Sequence, residues 1–152
     1  SHWRLAAPVD RVWAALAAPE TWPRWWPNVR AVHTLRAGGA DGLGCVRRIE
    51  WTGALPYHVV IEVEAVEALR HERLRGRSRG DLQGEGIWLL RGEGGVTDVT
   101  YVWRVQLARP WMRWFAPLLA PLFRWNHDHV MRQGCVGLAR HLGVAHEWVP
   151  LR

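Results

Sequence analysis

Lysine is absent: all 20 basic residues are arginine. The stretches GGADGLG (38–44) and GEGG (92–95) therefore lack the lysine of a phosphate loop, and neither carries the GxGxxG dinucleotide fingerprint. Both read as turns, and no cofactor is expected. No GxSxG elbow marks a nucleophile. Cysteine is scarce: Cys45 and Cys135 lie far apart, form no CxxC, and read as two buried, reduced thiols rather than a disulfide. Metal-ligand spacing is missing as well. His127 and His129 are two residues apart, which on a helix points them to nearly opposite sides, and no Cys/His cluster supplies further ligands, so no metal is expected. There is no run of about 18 apolar residues and nothing like a signal peptide, which makes a soluble, cytoplasmic protein the expectation.

What the chain does have is arginine and tryptophan. A formal charge of +6 admits nucleic acid, an anionic membrane or an acidic small molecule as partners. Arginine offers a rigid donor fork that suits carboxylate or phosphate. With 152 residues and no repeat, low-complexity tract or charged linker, residues 1–152 read as a single domain. HWRLAA (2–7) suits a first strand. APVDRVWAALAAP (7–19) reads as a helix, with Pro8 in its first turn, Val9, Val12, Trp13 and Leu16 at helical spacing, and Pro19 as its stop. A second short helix and a turn follow. From residue 30 the period changes to two, and strands are predicted at 30–36, 44–53, 56–66, 72–79, 84–91 and 97–108. LFRWNHDHVMRQGCVGLARHLG (122–143) then runs as a long helix closed by Gly143.

Strand parity sorts the faces. Tyr57, Val59, Ile61, Val63 and Ala65 share one face, as do Val99, Tyr101, Trp103, Val105 and Leu107, so both tyrosines point inward. Arg73, Arg75, Arg77 and Arg79 form a stripe on the outer face, where Glu62 and Glu64 can pair with them across the strands. That leaves Gly76, Ser78, Gly84 and Gly86 in inward places beside Trp88. Glycine weakens a strand unless something must approach closely. The two readings are a chamber between sheet and helix, or a barrel-like bend.

On the last helix Phe123, His127, Met131, Gly134 and Leu138 fall on one face, with Asn126 at its edge and Val130 and Leu142 at its margins. His127 in that stripe is either a satisfied core histidine or a polar anchor or acid–base group facing the chamber. ETWPRWWPNV (20–29) holds Trp22, Trp25 and Trp26 between prolines. These indoles must be covered, either as a wedge between the short helices and the sheet or, for Trp26 or Trp22, at the cavity mouth. RPWMRWFAPLLAPLFRW (109–125) mixes Trp111, Met112, Trp114 and Phe115 with Arg109, Arg113 and Arg124, which suits a lid, plain packing or contact with a membrane surface; Pro117 and Pro121 interrupt a simple amphipathic helix there.

This layout resembles the helix-grip fold of the SRPBCC superfamily, which includes START lipid-transfer domains, pollen-allergen-like proteins and polyketide cyclases/aromatases. APVDRVWAALAAPETWPRWWPNV is similar to the N-terminal signature of the polyketide cyclase/dehydrase-like branch, with Pro8, Val12, Trp13 and Trp25 in the recurring positions; GDLQGEGIW and NHDHVM are similar to segments of bacterial members. The resemblance spans about residues 3 to 143. It implies an α+β fold in which a curved seven-stranded antiparallel sheet wraps a long C-terminal helix, with two short helices after the first strand. It also implies a deep cavity, but no reaction.

The leading expectation is therefore binding or transport of a hydrophobic small molecule: a lipid, a polyketide-like aromatic or an isoprenoid. The candidate ligand-binding residues are Trp26, Trp51, Tyr57, Gly76, Ser78, Gly84, Gly86, Trp88, Tyr101, Trp103, Phe123, Asn126, His127, Val130 and Met131. An anionic ligand group could recruit Arg47, on the side of Trp51. The alternative is a polyketide cyclase, aromatase or dehydrase using His127, Tyr57 and Tyr101 on a poly-β-carbonyl chain. Nucleic acid is not an expected partner, since no RNA- or DNA-binding motif accompanies the arginine stripe. The sequence leaves the oligomeric state open.

Overall fold

The computed structural model describes residues 1–108 and 110–150, with side chains described everywhere except at 107 and 110–113. The elements are β1 (His2–Leu5), α1 (Val9–Leu16), a 3₁₀ helix (Pro19–Arg24), β2 (Val29–Arg36), β3 (Val46–Thr52), β4 (His58–Leu69), β5 (Arg73–Gly80), β6 (Leu82–Glu93), β7 (Val96–Leu107), α2 (Pro110–Leu142) and β8 (His146–Val149). All strands join one antiparallel sheet in the order β2-β3-β4-β5-β6-β7-β1-β8. This is the helix-grip arrangement, with eight strands among the described residues instead of seven.

The additional strand is β8. It pairs with β1, placing Trp148 opposite Trp3 and Glu147 opposite Arg4. The chain returns to the sheet because α2 stops at Gly143, whose φ of 69° suits a glycine cap, and because Ala6 N–H donates to the Ala145 carbonyl at 3.0 Å. The helix also differs from expectation at its start, which is Pro110 rather than residue 122. Proline is at home in a first helical turn, and Pro117 and Pro121 each remove one backbone donor without ending the helix.

The core lies between the concave face of the sheet and the second half of α2. Met131, Cys135, Leu138 and Ala139 of the helix cluster with Ile49, Ile61, Trp88, Leu90 and Val99 of the sheet. Val12, Ala15 and Leu16, the buried side of α1, join them. The bulge between Ala65 and Glu67 shifts the parity of β4, so the inward partner of Leu74 is Ala68.

The tryptophan-rich segment is a wedge in this core. Six of the twelve tryptophans, Trp3, Trp22, Trp25, Trp26, Trp51 and Trp88, form one chain of aromatic contacts, with centroids as close as 5.1 Å for Trp26 and Trp51. Trp26 is 1% exposed, stacks on Trp25 at 5.4 Å and donates its indole N–H to the Val130 carbonyl at 3.0 Å. The helix makes room by omitting side chains. A Cβ at Gly134 would strike the Trp26 ring, and one at Gly137 would strike the Trp25 carbonyl oxygen. Burying one such indole is worth up to about 4–6 kcal/mol, at roughly 25 cal/mol per Å² over about 150–250 Å².

The outer arginines pair differently from expectation. Arg73 and Arg75 reach Glu67, and Arg75 and Arg104 reach Glu85, while Glu62 and Glu64 pair with Arg48 and Arg36 on the other flank. These bridges are solvent-exposed and contribute little each.

Candidate functional site

A cavity of about 910 Å³ lies between the first half of α2 and one end of the sheet. The 3₁₀ segment contributes Trp22 and Trp26, β3 contributes Trp51 and Thr52, and the β3–β4 connection and β4 contribute Gly53, Tyr57, His58, Val59 and Ile61. Asp81, Leu82 and Trp88 come from the β5–β6 hairpin, and Tyr101, Trp103, Val105 and Gln106 from β7. The helix roofs it with Ala116, Ala120, Phe123, Arg124, Asn126, His127, Val130 and Met131. The walls are mostly apolar, eight of the 24 lining residues being Trp, Tyr or Phe, and the polar side chains are Thr52, His58, Asp81, Gln106, Arg124, Asn126 and His127 beside the two tyrosines.

Eleven of the fifteen candidate ligand-binding residues line this cavity, among them Trp26, Trp51, Tyr57, Trp88, Tyr101 and His127. Gly76, Ser78, Gly84 and Gly86 do not. Ser78 and Gly84 line a separate pocket of about 480 Å³ at the β5–β6 hairpin, and at the three glycines neighbouring atoms stand where a Cβ would be. Val63 Cγ1 lies 2.6 Å from where a Cβ of Gly76 would stand, and the Tyr101 hydroxyl 2.6 Å from that of Gly86. At Gly84, φ is 151° and Val105 Cα of the adjacent strand would be 2.8 Å from a Cβ. The glycines thus admit side chains and a crowded strand crossing. The open volume lies farther along the sheet, where β3, β4 and β7 approach α2.

His127 is the most unusual group in the site. Its ring stacks on Trp103 at 5.1 Å and faces Tyr101 at 6.4 Å. Nε2 is buried without a hydrogen-bond partner, and Nδ1 is 3.7 Å from Asp128. Burial lowers its pKa below the ordinary 6.5 and outweighs the opposing pull of Asp128. The imidazole is therefore neutral at pH 7. Burial also raises the phenols of Tyr101 and Tyr57, so both stay protonated. The indole N–H of Trp51 is a second buried polar atom without a partner in the cavity wall.

Asn126 acts as a latch. Its side-chain oxygen accepts the Ala54 N–H at 2.9 Å, and its amide lies so close to Gly53 that a Cβ there would collide with it. This ties the β3–β4 connection to α2. Arg47 does not line the cavity, because its guanidinium is held by Glu20 of the 3₁₀ helix. The arginine at the cavity edge is Arg124. Sequence reasoning did not single out His58, Asp81 or Gln106, whose strand ends carry no distinctive pattern. It also left out Ala116 and Ala120, although their spacing to Phe123 and His127 is helical and was a usable signal. Among the described residues no three His, Cys, Asp or Glu side chains cluster as a metal site would require.

The family described as "Polyketide cyclase / dehydrase and lipid transport" matches residues 3–143. The chain belongs to this family. Solved structures superpose over nearly the whole chain. The Zhui aromatase/cyclase from a Streptomyces species gives a TM-score of 0.66 at 16% identity, covering 93% of each chain. A START superfamily protein from Mycobacterium smegmatis gives 0.67 at 14% identity, covering 94% of this chain and 98% of that one. A protein from Thermus thermophilus gives 0.69 at 22% identity, covering 93% and 94%. At these identities the likeness is one of fold. A formylglycine-generating enzyme of Streptomyces coelicolor is 33% identical over 114 residues, 74% of this chain. The matched stretch spans 31% of that enzyme. Membership in the polyketide cyclase/lipid transport family is compatible with a hydrophobic ligand or with cyclase chemistry, and does not choose between them. Among the described residues no helix is long and apolar enough to cross a membrane.

Proposed function

We propose that the chain binds and carries a hydrophobic small molecule (a lipid, a polyketide-like aromatic or an isoprenoid) in the cavity under α2. The observation that carries this reading is the cavity itself: about 910 Å³ lined by Trp22, Trp26, Trp51, Trp88 and Trp103 among others, a size and lining suited to a drug-sized apolar ligand. The hydroxyls of Tyr57 and Tyr101 in the lining are the groups that would orient it through an oxygen atom, since the Trp51 N–H and His127 Nε2 are covered by the chain itself. A carboxylate or phenolate on the ligand would meet Arg124 at the edge. Native mass spectrometry of the chain purified from its own cells tests this. A co-purified apolar small molecule is the expected result; an empty chain that also takes up no fatty-acid or naphthoquinone probe would reject it.

The enzyme reading rests on a separate observation, His127 facing Tyr101 at 6.4 Å with Tyr57 elsewhere in the lining of the same cavity, the imidazole neutral and both phenols protonated. On a poly-β-carbonyl chain the imidazole would remove a proton from a methylene between two carbonyls. The resulting enolate carbon would bond to a carbonyl carbon of the same chain, and the alkoxide so formed would take the proton back from the imidazolium. Loss of that hydroxyl with a neighbouring proton releases water. Cyclised product from a synthetic poly-β-ketone, lost in His127→Ala while probe uptake persists, is the result this reading predicts.

A further inference from the structure

The first half of α2 is apolar on two opposite sides. One side roofs the cavity with Ala116, Ala120, Phe123 and His127. On the other, Trp114 is 86% exposed and Leu118 78%, with Phe115, Leu122 and Trp125 also open to solvent. At about 100° per residue these five fall within an arc of about 100°, centred roughly opposite the roofing residues. Exposed aromatic and leucine side chains gathered on one helix face mark a surface that something covers.

We propose that this face docks on an anionic lipid surface, with α2 lying in the interface rather than crossing it. Charge selects the occupant. From Arg109 to His127 the sequence has three arginines and no aspartate or glutamate, within a chain of net charge +6. Tryptophan, with an apolar body and a polar N–H, suits the boundary between headgroups and acyl chains. A second copy of the chain is a poorer partner, because a two-fold contact would set this arginine-bearing segment against itself. Among the described residues the helix is not apolar enough to span a bilayer. Docking through this face does not depend on what the cavity holds. If the cavity carries an apolar ligand, docking places its helical roof beside the lipid from which a ligand would enter.

Flotation with vesicles made of equal parts phosphatidylcholine and phosphatidylglycerol tests the proposal. The wild type is expected to float with these vesicles, to float less with phosphatidylcholine alone, and to lose binding as salt rises. The double variant Trp114→Gln/Leu118→Gln changes two exposed side chains, so it should keep the wild-type melting temperature and bind at least about tenfold more weakly. Leu35→Gln, at an exposed apolar residue on β2, should bind as the wild type does. Absence of wild-type flotation, or equal flotation of the double variant, would overturn the proposal. So would a concentration-dependent dimer that the double variant dissociates, which would give the face to a second copy.

Discussion

Replacing Gly134 by alanine should change sign with its neighbour. In a free helix the substitution stabilises by about 1 kcal/mol, because glycine is the poorer helix former. Here the new methyl group would meet Trp26, with Cζ2 and Nε1 at 2.6 and 2.8 Å from its carbon. The indole has nowhere to retreat: it is stacked on Trp25, set edge-on against Trp51 at 5.1 Å, and tethered to the Val130 carbonyl. Overpacking of this kind costs about 2–3 kcal/mol, so Gly134→Ala should lose about 1–2 kcal/mol net. For a chain of this length that is a fall in Tm of about 3–6 °C. In a Trp26→Leu background the obstructing atoms are gone, and adding Gly134→Ala should raise Tm by about 3 °C. Thermal unfolding of the four proteins by circular dichroism measures this cycle. A stabilising Gly134→Ala in the wild type, or the same sign in both backgrounds, would refute the wedge between Trp26 and α2.

Other outcomes follow from the same contacts. Asn126→Ala should cost about 1 kcal/mol and speed amide exchange at Ala54, the donor it leaves unpaired. His127 binds fewer protons folded than unfolded because its pKa is lowered, so its contribution to stability is full above pH 6.5 and lost as pH falls through the window beneath it. His127→Gln should therefore flatten stability between neutral and mildly acidic pH, as denaturant titrations at several pH values would show; a curve parallel to the wild type would contradict the shift. The Cys135 thiol is fully buried, pushed up to about 12, and set against the Glu147 carbonyl at 3.7 Å. It should ignore Ellman's reagent at pH 8 until the protein unfolds.

Periodicity made most of the architecture legible. α1 and the meander carry clean three-four and two-residue patterns, and α2 beyond residue 122 keeps one apolar stripe. The start of α2 was obscured by Pro110, Pro117 and Pro121, which a continuous helix tolerates here. β8 escaped because four residues hold no period and their partner, β1, lies at the other end of the chain. The glycine argument met a different obstacle. A missing Cβ says that something comes close, and strand parity does not say what: Val63 and Tyr101 fill places that parity alone leaves open. Likewise Gly134 reads as one member of a helix stripe until the fold brings Trp26 across it.

Occlusion of the cavity is the most direct test of the account. Ala120 lines the roof from α2, and Ala120→Trp would place an indole into the volume a ligand needs. Titration with a naphthoquinone probe should quench the indoles of the wild type saturably. The occluded variant should show little quenching at an unchanged melting temperature. Equal saturable uptake by both proteins, or none by the wild type across fatty-acid and quinone probes, would contradict a ligand site beneath the helix.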